Sequence, residues 1–488
     1  MTNSLKQRTV SGLTWSFIDQ GAVNGIQFVV GIILSRLLTP HEFGLVGMIT
    51  IFISISRSFV DSGFTQAIIR KNNATQTDYA TIFYFNILIS VIVYFILFFS
   101  SPAIGAFFEE PKLVLILKIL SLTLLFDAFA IVQRARLTKR IDFKLQTKIS
   151  IIASVSSGII GILMAYEGFG VWSLVAKILS RHALISIFLC IWNRWIPTLE
   201  FSIKAFKDMF SFGSKLLLSG LINTAYRNVY KLIIGKFFSA ADLGYFTRAE
   251  QFKNLPSQNL TTVIQRVSYP VLSTLQNDMQ KLKQSYRKLI RSTMLITFVL
   301  MLSLAAIARP LIITLIGDHW LPSVIFLQLL CFEGIIYPLS AINQNMLKVQ
   351  GRSDLYLKLE IIKKILAIPV IVIGIFISIE AIIIGMIINS FIAYILNSYY
   401  SGKMIGYSNY DQLKDILPSF LLGLSIGLVL LLLDCFIPLP VSLILIMQIT
   451  SGIILFIFLS ELFKMKDYKY IKDSVVEKLR SIIIGRKS

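Results

Sequence analysis

Of the chain's 488 residues 55% are hydrophobic and only 15% are charged, where a soluble domain carries roughly 25% charged residues, and the mean hydropathy is +0.75. That balance excludes an ordinary soluble domain and indicates an all-α polytopic membrane protein. The net charge of +21 would suit a nucleic-acid partner, but the placement of the basic residues along the chain excludes one.

A helix needs about 20 apolar residues to cross the hydrocarbon, and on that scale the sequence predicts about fourteen spans. Span 1, residues 14–38, holds Asp19, Gln20, Asn24 and Gln27. It therefore reads as a retained helix, unlike the short uniform core of a cleaved signal peptide. Spans 2 to 6 follow at 43–69, 79–101, 113–133, 149–166 and 170–192. Spans 7 and 8 lie at 209–235 and 243–271, and spans 9 to 12 at 289–308, 321–347, 361–379 and 381–400. Spans 13 and 14, at 416–437 and 439–462, precede a basic tail.

Lys and Arg collect in alternate loops, among them 134–148, 281–291 and 348–364, while the loops between hold only Arg36, Lys112, Lys236 and Arg309 beside acids such as Glu109, Glu110, Glu167, Asp318 and Glu380. The positive-inside bias predicts both termini in the cytoplasm and absorbs most of the net charge. The outer loops are too short for a catalytic domain. Cys190, Cys331 and Cys435, like His41, His182 and His319, are scattered without paired spacing, so neither a disulfide framework nor a metal site is expected.

One segment is repeated at a distance of 200 residues. "LSRLLTPHEFGLV" (34–46) and "IGKFFSAADLGYF" (234–246) align without a gap, placing Arg36 on Lys236, Glu42 on Asp242 and Gly44 on Gly244. Each copy ends one span and begins the next, so the motif reads as a hairpin corner whose glycine permits close helix packing. Six spans per half give parallel repeats, an arrangement used by transporters. The expected organisation is an N-terminal lobe over 1–200, a second lobe over 201–400, and two extra helices with the tail over 401–488.

The segments "GLTWSFIDQGAVNGIQFVVGIILSRLLTPHEFGLVGM", "LGYFTRAEQFKNLPSQNLTTVIQRVSYPVLS" and "LKVQGRSDLYLKLEIIKK" carry a whole-chain resemblance to the Wzx-type polysaccharide flippases of the multidrug/oligosaccharidyl-lipid/polysaccharide exporter superfamily. The resemblance implies two six-helix lobes and movement of undecaprenyl-pyrophosphate-linked oligosaccharide across a bacterial cytoplasmic membrane by alternating access. The product would be O-antigen, capsule or exopolysaccharide, with membrane lipids, a polymerase and a chain-length regulator as partners. No resident cofactor is implied, and coupling to H+ or Na+ stays open.

The polar residues inside the spans point the same way. A basic side chain at mid-helix costs about 2.5–3.5 kcal/mol to insert, so such residues persist only against water, a partner or cargo. At 100° per residue, Ser16, Gln20, Asn24 and Gln27 form one stripe on span 1, and Thr50, Ser54, Arg57, Asp61 and Thr65 form another on span 2. Asn223, Arg227 and Tyr230 share a face of span 7, while Gln251, Asn254, Gln258, Thr262 and Gln265, flanked by Arg248 and Arg266, run along span 8. These wet faces are expected to line one cavity between the lobes. Amides suit sugars, and guanidinium forks match diphosphate oxygens in a bidentate way that an ammonium cannot.

Several residues carry a second reading. Arg57 and Asp61, at i and i+4, suit an intrahelical ion pair as well as cargo. Gly21 and Gly25 suggest helix packing, and Pro256 should kink span 8. Lys118 and Lys231 read as snorkelling groups, and Lys253, off the stripe, as a packing residue. A drug or metabolite antiporter of the same superfamily is the rival function, but cation export calls for cavity carboxylates, and this inventory is basic. An enzyme is not expected: there is no GxxxxGK[ST] loop, no evident catalytic carboxylate pair and no sizeable outer loop.

Overall fold

The structure is a computed structural model that describes residues 2–473, except the side chains of residues 2–10, 13, 259, 263, 266 and 267. Most of the basic tail, 474–488, lies outside the described residues. Among the described residues there are seventeen α-helices, one short 3-10 helix and no strand. The chain forms two compact units, Met1–Gly244 and Tyr245–Ser488.

The first unit contains α1 (Thr2–Leu37), α2 (Pro40–Asp61), α3 (Phe64–Arg70), α4 (Gln76–Phe108), α5 (Lys112–Leu120), α6 (Leu122–Lys139), α7 (Phe143–Tyr166), α8 (Val171–Asn193) and α9 (Ile203–Phe237), and ends in the first turns of α10 (Ala240–Thr274). Here α1 packs on α7, α7 on α8, α8 on α6, α6 on α4, and α9 on α2. The second unit continues with α11 (Met279–Ala306), α12 (Ala308–Ile316), α13 (Ser323–Val349), α14 (Ser353–Ile377), α15 (Ile379–Ile405), α16 (Asn409–Phe436) and α17 (Val441–Leu462). In it α11 packs on α16 and α13, and α15 on α13 and α14.

Every expected span falls on a helix or on two helices in tandem, but only eleven of these segments are long and apolar enough to cross a membrane. The count of fourteen is therefore not reached on apolarity, since α9, α10 and α14 fall outside that set. In α14 the charges of Glu360, Lys363 and Lys364 interrupt the apolar run. Exposed Phe95, Phe99, Leu163, Ile373, Phe376 and Ile454 form the apolar exterior that lipid requires.

Span 2 is not one helix. Ser62 and Gly63 both adopt the left-handed conformation, with φ 47° and 70°, and separate α2 from α3. The backbone of α9 crosses closely here: a Cβ on Gly63 would lie 2.5 Å from the Gly213 carbonyl oxygen, and one on Gly213 would lie 2.7 Å from that of Ser62. Side chains at either position would force the helices apart.

The repeated segment is built the same way twice. Thr39 and Glu42 form a reciprocal capping box at the start of α2. Ser239 and Asp242 form the equivalent at α10, with Ser239 Oγ donating to Asp242 over 2.7 Å and accepting from the Asp242 amide over 3.0 Å. The repeated acid thus serves the helix start, where it meets orphan amides and the positive end of the dipole. The repeated glycine serves packing. A Cβ on Gly44 would lie 1.6 Å from the Ala240 carbonyl oxygen, and one on Gly244 would lie 2.0 Å from that of Pro40. The two helix starts cross backbone to backbone.

Other expectations are corrected. A Cβ on Gly21 or Gly25 would meet nothing within 4 Å, so neither glycine marks a helix contact. The α1–α7 seam is closed instead where Val30 fits over Gly158. Lys253 does more than pack. It is buried, and its Nζ lies 2.7 Å from Glu333 Oε2 of α13. Removing one partner of such a pair strands a charge at a cost of about 3–5 kcal/mol.

Candidate functional site

Arg57, one turn before the end of α2, does not pair with Asp61. Its Nε donates to Asp127 Oδ2 of α6 over 2.7 Å, and its Nη2 lies 3.2 Å from His182 Nε2 of α8. His182 Nδ1 lies 2.8 Å from Asp127 Oδ1, closing a three-residue ring of contacts. Asp61 instead accepts from Thr65 Oγ1, across the break between α2 and α3. The guanidinium takes Asp127, which is buried where Asp61 is only partly so; the Asp127 side chain is 9% exposed and that of Arg57 43%. One edge of the Arg57 guanidinium is thus anchored and the rest is open.

Two more arginines surround this ring. Arg134 of α6 and Arg181 of α8 lie within electrostatic reach of each other, of Arg57 and of Asp127, and both face Asp19 of α1. Asp19 Oδ1 and Arg181 Nε are buried without a hydrogen-bond partner. Three guanidinium groups against two carboxylates leave the cluster positive, with unspent donors. Arg134 is exposed and the Arg57 side chain is 43% exposed, so the cluster presents charge-assisted donors that an anion can reach.

The other expected site residues are distributed as follows. Asn24 and Gln27 stand on α1, half-buried, and Gln27 Nε2 is a buried donor without a partner. Asn223 and Arg227 are exposed on α9. Between them Thr224 reaches α2, its Oγ1 3.4 Å from Ser58 Oγ, so this face of α9 adjoins the helix that carries Arg57. Among the described residues Arg227 makes no hydrogen bond or ion pair. In the second unit Arg248 Nη1 donates to Gln251 Oε1. Asn254 Oδ1 is buried and unsatisfied, and Gln258 is exposed. The Arg266 side chain lies outside the described residues.

The sequence pattern of the family described as "Polysaccharide biosynthesis protein" matches residues 33–325. The chain belongs to that family. It is 26% identical over 377 residues to the lipopolysaccharide biosynthesis protein WzxC of Escherichia coli (strain K12), which covers 76% of each chain. It is 25% identical over 354 residues to the teichuronic acid biosynthesis protein TuaB of Bacillus subtilis (strain 168), spanning 72% of this chain and 73% of that one. Among solved structures, the lipid II flippase MurJ in an inward closed conformation superposes with a TM-score of 0.76 at 16% identity, over 92% of this chain and 98% of its own. An inward-facing MATE multidrug resistance transporter of the MOP superfamily gives 0.62 at 16% identity, over 79% and 94%. These two likenesses are likenesses of fold.

In this polysaccharide biosynthesis protein, several cluster members escape a reading of the sequence. Arg134 reads as part of a cytoplasmic loop, but α6 runs on to Lys139. Asp127 and Arg134, seven residues apart, fall on one helix face, and that spacing is the available signal. Arg181 stands out only as an intramembrane base. His182 carries no signal in the sequence, because both of its partners come from other helices.

Proposed function

We propose that this protein carries the headgroup of a lipid-linked oligosaccharide, joined through a diphosphate to an undecaprenyl chain, from the inner to the outer leaflet of the bacterial cytoplasmic membrane. It works by alternating access, as a transporter and not an enzyme, in the assembly of O-antigen, capsule or exopolysaccharide. A polymerase and a chain-length regulator act downstream. The observation that carries the reading is the positive cluster of Arg57, Arg134 and Arg181, with its buried, unsatisfied Arg181 Nε. A diphosphate supplies the acceptors, and the amides of α1 and α9 suit a variable sugar. The lipid tail needs no protein cover and stays in the bilayer. A drug antiporter selecting cations is disfavoured by the same excess of guanidinium groups.

Deleting the gene in its host tests this. Lipid-linked oligosaccharide should accumulate on the cytoplasmic leaflet and surface polysaccharide should disappear. Unchanged polysaccharide with raised drug sensitivity would favour the antiporter.

The orientation proposed from the Lys and Arg bias places both termini in the cytoplasm. Single cysteines introduced at 142 and 352 in a cysteine-free chain should resist a membrane-impermeant maleimide in intact cells and react after permeabilisation. Labelling of either in intact cells would invert the topology.

A further inference from the structure

His182 stands between an acid and a base that constrain its proton. A guanidinium nitrogen only donates, so His182 Nε2, 3.2 Å from Arg57 Nη2, is the acceptor. Nδ1 then carries the hydrogen and donates to Asp127 Oδ1 over 2.8 Å. Both ring nitrogens are engaged, and these two contacts suit one tautomer of the unprotonated ring. A second proton, on Nε2, would set donor against donor and break the contact with Arg57, which keeps its Nε anchor on Asp127.

The charged groups around the ring are Asp127 and Arg134 from α6, Arg57 from α2, Arg181 from its own helix, and Asp19 from α1. From the two other helices packed against α8, Lys118 of α5 lies over Phe98, and Lys144 and Lys148 of α7 lie over Trp15 and Trp192. With His182 neutral, three arginines face two aspartates. With His182 protonated, the cluster gains one more positive charge, and Arg57 Nη2 is released toward the open side.

We propose that His182 is a proton-binding site coupled to cargo: the proton enters Nε2 as the diphosphate of the lipid-linked sugar takes over Arg57 Nη2, and it leaves when the diphosphate leaves. A diphosphate diester has one ionised oxygen on each phosphorus, which matches the two excess positive charges of the protonated cluster. Each ligand favours the other, because linkage is reciprocal. The inference rests on the headgroup reading above.

The test is calorimetric binding of a farnesyl-diphosphate-linked monosaccharide to the full-length protein in lipid nanodiscs. This diester lacks the phosphate ionisation near about pH 6 that a monoester would add. Titrations in buffers of different ionisation enthalpy count the protons exchanged. The wild-type chain should take up about one proton per ligand bound wherever the free protein holds His182 unprotonated, with affinity falling about tenfold per pH unit there. His182→Gln, and His182→Asn as a second variant, should bind more weakly, with no proton uptake and no pH dependence. Wild-type binding without proton uptake, or uptake retained in both variants, overturns the role of His182 and leaves the headgroup reading standing. Absence of wild-type binding overturns both.

Discussion

Arg227→Ala abolishes or sharply reduces polysaccharide export while the protein still inserts at normal levels. Arg227 is exposed on α9 and makes no hydrogen bond or ion pair among the described residues, so its removal strands no partner. Its helix touches α2 one residue from Arg57, through Thr224 and Ser58. An exposed guanidinium with no partner among the described residues is free to meet an anionic ligand during turnover. Losing a hydrogen bond to a charged group costs about 1.5–3 kcal/mol, or one to two decades in affinity. Arg227→Lys restores only part of the export, because the charge returns without the planar fork. Surface polysaccharide, measured alongside the amount of membrane-inserted protein, decides the matter. Full export from well-expressed Arg227→Ala removes Arg227 from the site.

The second large effect is on folding. Gly44→Ala adds a single methyl group, but that carbon would lie 1.6 Å from the Ala240 carbonyl oxygen. The obstacle is backbone within a crossing of two helices, so rotamer change cannot relieve it. Overpacking against movable side chains typically costs 1–3 kcal/mol, and about that much or more is expected where nothing can turn aside. Gly21→Ala is the control. It adds the same methyl to a helix where nothing lies within 4 Å, and both variants gain the same helix propensity, about 1 kcal/mol. Gly44→Ala should lose monodisperse protein on detergent extraction and melt well below Gly21→Ala. Equal melting of the two would show that the crossing is not tight.

The contrast between these residues shows what a sequence makes legible. Local rules carry far: Thr39 with Glu42 and Ser239 with Asp242 are capping boxes closed within four residues, and their 200-residue echo is visible as spelling. The close packing at Gly44 and Gly244 follows from the same echo. Helix existence is legible too, since Arg57 and Arg227 stand on helices, α2 and α9, where spans were expected. Neighbours are not. Helical periodicity says which residues share a face, but not which helix that face meets, so it offers Asp61 to Arg57 when Asp127 holds it. For the same reason His182 looks like a lone ring on an apolar span. The break at Ser62 escapes a hydropathy count, although Ser62-Gly63 is a turn-forming dipeptide. The meeting with Gly213 that makes the break possible is a tertiary event.

The pair of Lys253 and Glu333 has a consequence for how the protein is made. α10 falls outside the segments apolar enough to span a membrane, and the carboxylate that neutralises its lysine lies 80 residues further along the chain. At synthesis rates of about 5–20 residues per second, α10 waits about 4–16 s for α13 to emerge. During that interval the acid beside the ammonium is Glu250, three residues back on the same helix. α10 carries that local partner until Glu333 completes the pair between helices. Completion of this bundle is timed by the ribosome as well as by the membrane.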